Sequence, residues 1–467
     1  MNRDVLWSAL EAMGAALFSL TGAFVIARLI GPAELGLGAA AAAVHVLLWV
    51  AVNALFADAI VQRATIDDTI LSSAAWASTA TGCGAALAQA GMGGVLAWML
   101  DEPRLAPMAL ALAVPLPFVG MAGAYQGLLT RQRRYGVLAA RTLAGQGAGM
   151  VLGIALATHH AGAWAVVAQQ AASSLIAALV LIGATGWWPR PVCRWSAVRD
   201  LLRTGLPLTA STLTQIGRYR LFALLIGATA GPAALGQVHV AFRLADTARD
   251  LIFTALWRLM LPILSAHQHD RDRRLAEVDR LSRLSGFVTL PFCGGLVLAL
   301  VPLTTLILGP AWREAGAAAL PLAGLMALLA LMFPSGVALA AAGGARFTLF
   351  ANLAGLAATL AFVPSLRPET PWEAVLAWCA AQLFISPYSL WVNGRALGVG
   401  PFRPLRAGLP ALLVTLAGVG TALALDGTGG PLETLIRRGG VFALVVILGF
   451  TPLLWRMGGA PWTWRAP

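Results

Sequence analysis

Lysine is absent from this chain, and charge of either sign is scarce. All 32 basic residues are arginine, and charged residues make up only 11% of the sequence. No stretch is long or polar enough to form a water-soluble domain. Cys83, Cys193, Cys293 and Cys379 are dispersed without a CxxC pair, so neither a disulfide framework nor a metal knuckle is indicated. Also missing are a P-loop, a nucleophile elbow, an HExxH metal motif and a dinucleotide fingerprint. The lack of lysine reads as a coding bias towards Arg and Ala and carries no mechanism.

Apolar residues are what the chain has in abundance: 59% of the sequence, with a mean hydropathy of +0.78. Apolar segments of about 18 to 28 residues follow one another from Val5 to Trp455, and a bilayer core takes about 20 per helix. The fold class this predicts is an all-α polytopic membrane protein with about 14 transmembrane helices. The spans fall near 5–28, 35–60, 73–99, 106–130, 137–158, 161–186, 203–228, 235–263, 283–309, 316–342, 345–364, 372–394, 407–425 and 438–456. The first apolar stretch is interrupted by Glu11, runs past Arg28 and shows no cleavage site, so it reads as a membrane helix, not a signal peptide.

Net charge is +12 with a pI near 11.1. In a membrane chain this points to loops facing anionic lipid, and no nucleic-acid partner is expected. With the N-terminus inside, 20 arginines fall in inner segments and six in outer ones. The positive-inside rule then places both termini in the cytoplasm. Trp187, Trp188, Trp372, Trp455, Trp462 and Trp464 lie near span ends, where indoles favour the interface. The longest polar connections, 187–202 and 264–282, are both inner. His267 and His269 in the second lack further ligands and read as part of a solvated loop.

The hexapeptide Gly31-Pro32-Ala33-Glu34-Leu35-Gly36 returns 200 residues later as Gly231-Pro232-Ala233-Ala234-Leu235-Gly236. One copy joins spans 1 and 2, the other spans 7 and 8, so the two halves share an orientation. A parallel repeat of this kind relates two bundles about an axis along the membrane normal, with a cavity at their interface. The expected division is an N-terminal lobe over 1–186, a cytoplasmic linker over 187–202, a C-terminal lobe over 203–394 and two additional spans over 395–467. Gly145, Gly149 and Gly153 form GxxxGxxxG on span 5 and predict a close helix-packing face.

Ala27-Arg28-Leu29-Ile30-Gly31-Pro32-Ala33-Glu34-Leu35-Gly36 resembles the outer turn of Wzx-type polysaccharide flippases of the MOP superfamily, relatives of MATE exporters. The repeat at 225–236, Arg131-Gln132-Arg133-Arg134-Tyr135, Leu261-Pro262-Ile263-Leu264-Ser265 and Leu308-Gly309-Pro310-Ala311-Trp312 fit the same pattern. The resemblance implies two pseudo-symmetric lobes around a central cavity that opens alternately to each face. It also implies an undecaprenyl-pyrophosphate-linked oligosaccharide as cargo, moved across a bacterial inner membrane for exopolysaccharide, capsule or O-antigen export. Polymerases and glycosyltransferases of the same pathway would be partners. Where the family often carries an acidic residue in mid-span 7, this chain has Arg218.

Ionised groups in mid-bilayer cost about 2.5 kcal/mol or more, so they commonly mark a pathway. Ser211, Gln215 and Arg218 share one face of span 7, and His239, Arg243, Asp246 and Asp250 form a seam on span 8 with Arg249 at its edge. As a cavity lining, this set offers Arg218 and Arg243 to a pyrophosphate, which guanidinium forks match well. The bland alternative is a structural ion pair of Arg243 with Asp246 or Asp250. Glu11 and Asp58 are the carboxylates available for coupling to a proton or sodium gradient, with cap or interface roles equally open; His45 and Asn53 share a face of span 2. No metal, cofactor or catalytic residue is expected. Two other functions compete: a MATE-like exporter of drugs or metabolites, which would favour carboxylates in its cavity, and a membrane polymerase or ligase, which the short outer loops disfavour.

Overall fold

The computed structural model describes residues 3–63, 65–266, 271–341, 345–397, 402–424 and 430–456. His267, His269, Trp462 and Trp464 therefore lie outside the described residues. Helices fill almost all of these segments, and no strand occurs among the described residues. The order is α1 (Arg3–Gln62), α2 (Asp68–Met99), α3 (Leu105–Ala113), α4 (Leu116–Arg131), α5 (Tyr135–Thr158), α6 (Trp164–Thr185), α7 (Trp195–Ala266), α8 (Arg271–Ile307), α9 (Arg313–Ala318), α10 (Leu320–Ala341), α11 (Ala345–Leu366), α12 (Pro371–Leu397), α13 (Arg403–Ala424) and α14 (Pro431–Arg456).

Every span expected from hydropathy overlies a helix. Among the described residues, ten helices are long and apolar enough to cross a membrane. Two of them, α1 at 60 residues and α7 at 72, greatly exceed the ~20 residues one crossing takes. Each is broken at one glycine. Gly31 has φ 79° and ψ 174°, and Gly231 has φ 83° and ψ 173°. Only glycine populates that region readily, and a proline follows in both cases to start the next helical segment at its first position. The repeat is thus a repeat of backbone conformation as well as of sequence. The two turns also meet: a Cβ on Gly36 would strike the Pro232 carbonyl oxygen, and a Cβ on Gly236 would strike that of Pro32. The contact is reciprocal, and all four residues lie between Met1 and Gly236.

Proline divides another expected span. The segment 106–130 is two helices, because Pro115 caps α4 and Pro117 lies in its first turn, where neither can continue the hydrogen bonding of α3.

Contacts group the chain into two compact units, Met1–Gly236 and Gln237–Pro467. In the first, α5 packs along α6 and α1, and α2 along α4. Gly149 lies so near α6 that an added Cβ would come within 2.5 Å of the Gln169 carbonyl oxygen. The GxxxG face therefore packs as its spacing predicts. Tyr125, Leu116 and Leu181 fill one core; Phe56, Ile60, Leu71 and Leu201 fill another. In the second unit, α8 packs against α10, α13 and α14, and α11 against α12. Its core includes Met260, Leu264, Val278 and Val337.

Candidate substrate pathway

Unit 1 holds a polar cluster inside otherwise apolar helices. Thr142 donates to Glu11 at 2.6 Å, joining α5 to α1, and Arg141 donates to Gln126 at 2.7 Å, joining α5 to α4. The Glu11 and Arg141 charges also attract each other. Glu11 is therefore held by α5, while Asp58 is exposed and makes no hydrogen bond or ion pair among the described residues. His45 is fully buried and lies 3.4 Å from the Ser174 hydroxyl. Arg141 and Gln126 were not singled out from sequence. The available signal was Arg141 itself, an arginine within an apolar span.

The first half of α7 carries Ser211, Gln215 and Arg218 on one helical face, as spacings of four and three dictate. Ser211 and Gln215 are exposed, and Arg218 is half-buried. Two residues on, the Arg220 guanidinium lies 5.5 Å from the Tyr219 ring centroid. Arg218 and Arg220 make this stretch of α7 cationic.

In unit 2 the seam is more self-contained. Arg249 reaches Asp246 at 2.8 Å and Asp250 at 3.1 Å, so one guanidinium is shared by two carboxylates. Both carboxylates thus have Arg249 as a partner. Arg243 and Asp246 are half-buried; Arg249 and Asp250 are exposed. Arg218 and Arg243 fall in different units.

This constellation sits in a chain whose residues 25–317 match the profile of a family described as polysaccharide biosynthesis protein. The chain belongs to that family. A relative, the succinoglycan biosynthesis transport protein ExoT of Rhizobium meliloti (strain 1021), is 24% identical over 328 residues, or 70% of this chain. The match spans 66% of that relative, slightly under two thirds of its length. Among solved structures, the lipid II flippase MurJ in its inward closed conformation superposes with a TM-score of 0.80 at 13% identity, covering 97% of this chain and 99% of that one. An inward-facing multidrug resistance MATE transporter of the MOP superfamily gives a TM-score of 0.63 at 11% identity, covering 91% and 100%. These likenesses establish a MOP-type membrane fold. The relative and both neighbours are transporters or flippases, and none is an enzyme.

Within this polysaccharide biosynthesis family member, the repeat turns do more than mark a duplication. Glu34 accepts from the Ala163 backbone N–H at 2.7 Å and binds the Arg104 guanidinium at 2.9 Å, tying together three turns of unit 1. Arg104 also binds Glu102 at 2.8 Å. That hydrogen bond holds the Glu102 carboxyl below the usual carboxylate range. The second repeat has Ala234 in place of Glu34, and the neighbouring Gln237 takes up a comparable task in unit 2. It donates to the Ala311 carbonyl at 2.7 Å and accepts from the Ala315 N–H at 2.9 Å.

Proposed function

We propose that this protein flips an undecaprenyl-pyrophosphate-linked oligosaccharide repeat unit from the inner to the outer leaflet of a bacterial cytoplasmic membrane, supplying exopolysaccharide, capsule or O-antigen. Membership of the polysaccharide biosynthesis family carries this reading, in a chain of apolar helices with a MOP-type fold. Repeat halves, with a boundary in the inner linker 187–202, act as lobes that open alternately to either face. Arg218 and Arg243 line the passage and attract the pyrophosphate, helped by Gln215 and Ser211. Asp246, Arg249 and Asp250 form a rim in which one guanidinium is shared by two carboxylates, so it is less available to an anion. Coupling to a proton or sodium gradient falls to Glu11, already tied to α5 through Thr142, or to Asp58.

The competing reading is a MATE-like exporter of cationic drugs, favoured by the MATE structural likeness alone. The charge on α7 argues against it, since a cationic cargo would meet Arg218. Polymer export in a strain lacking the chromosomal gene tests the choice. Wild type restores export, while Arg218→Ala and Arg243→Ala each reduce it about tenfold or more at equal expression, the loss expected for one charge-assisted contact. Undiminished export in both variants, or restored drug resistance without polymer, contradicts the proposal. Collapse of the proton gradient and of the sodium gradient in turn assigns the coupling ion, and transport insensitive to both removes Glu11 and Asp58 as coupling groups.

A further inference from the structure

The linker between α6 and α7 forms a strap across the end of α2. It is pinned by the Trp76 indole donating to the Arg190 carbonyl at 2.8 Å, and by the Arg190 and Arg194 backbone N–H groups donating to Ser72 at 3.0 Å and Ser73 at 2.8 Å. Trp187 adds a bond to Asp68 at 2.8 Å. Beneath the strap lies a cavity of about 380 Å³, lined by Phe56, Trp76, Ala80, Cys193, Trp195 and Leu202 among others. All of it belongs to unit 1. Its size falls within the ~300–1,000 Å³ of ligand pockets.

Three features specify an occupant. The walls are almost wholly apolar, with Thr81 contributing a lone hydroxyl, so they suit a hydrocarbon chain. Trp188 and Trp195 are each 69% exposed, as indoles at a lipid interface are. The strap and the start of α7 expose Arg190, Arg194 and Arg199, and among the described residues only Arg190 of these three is engaged by a carboxylate, that of Asp68 at 2.8 Å. Arg194 stands between the lining residues Cys193 and Trp195, and Arg199 follows Val198; basic residues beside an apolar slot complement a phosphate above an acyl chain. The slot is far too small for a polyprenyl chain, which separates it from the proposed cargo.

We infer that this cavity binds one acyl chain of an anionic phospholipid, whose phosphate rests among Arg190, Arg194 and Arg199. The site is distinct from the cargo passage and does not depend on what the protein transports.

Cys193 on the cavity wall and Cys83 elsewhere on α2 are the exposed thiols among the described residues, and they provide a built-in assay. The intact protein is reconstituted in phosphatidylglycerol or in phosphatidylcholine, and alkylation by the uncharged reagent N-ethylmaleimide is followed at each cysteine by mass spectrometry. The expected result is slower alkylation of Cys193 in phosphatidylglycerol, with Cys83 unchanged. Arg194→Gln and Arg199→Gln should each erode that protection about fivefold. Equal Cys193 rates in the two lipids overturn the inference, and so does protection that survives loss of both arginines. Protection that appears only when a polyprenyl pyrophosphate is added to phosphatidylcholine overturns it too, by making the slot a cargo-tail site.

Discussion

Glu34 shows how one side chain ties separate turns together. Its two oxygens serve different partners, a backbone N–H and a guanidinium, so charge and hydrogen bonding can be separated by substitution. Glu34→Ala should lower unfolding stability in detergent by on the order of 1–2 kcal/mol. Glu34→Gln should recover part of that loss, because its amide oxygen still accepts from Ala163. Equal thermal midpoints for wild type and the Ala variant would remove the clamp. Glu102 adds a pH dependence. Its folded-state pKa lies below the unfolded value, so its contribution is present above the unfolded value and disappears as pH falls through the folded one. The midpoint difference between wild type and Glu102→Gln should therefore shrink on acidification, and a difference that is constant with pH contradicts this assignment.

At the scale of elements, the broken helices α1 and α7 decide how the chain turns. Gly31 and Gly231 adopt a backbone conformation that costs other residues about 1–3 kcal/mol, and Gly36 and Gly236 let the two turns touch. Gly36→Val and Gly236→Val should each abolish transport while Gly91→Val, at a site with open space, should leave it intact. Normal transport by either turn variant would show that the contact is dispensable. Helix positions were legible beforehand because the hydrophobic requirement of a membrane is strong and local. The proline break in 106–130 was a local effect whose helix ends only the coordinates show. Partnerships were a different matter. Thr142 and Glu11 lie 131 residues apart, and nothing in a one-dimensional pattern pairs them. On α7, helical spacing brought Asp246 and Asp250 to one face, but spacing alone does not show that both reach the Arg249 guanidinium. The polar face of Ser211, Gln215 and Arg218 was readable from spacing alone, whereas the pairing of Arg141 with Gln126 depends on how α5 packs against α4.

For the molecule as a whole, apolar helices, family and fold describe an integral membrane protein built like MOP transporters. In the proposed function its arginines carry a pyrophosphate-linked glycan lipid between leaflets. Reconstitution into liposomes holding a labelled lipid-linked oligosaccharide tests it most directly, with leaflet exposure read by an impermeant glycan-modifying enzyme. Wild type is expected to make the inner-leaflet pool accessible, and the Arg218→Ala/Arg243→Ala double variant, equally well folded, to leave it protected. Wild-type liposomes no faster than empty ones, or a double variant as fast as wild type, would contradict it.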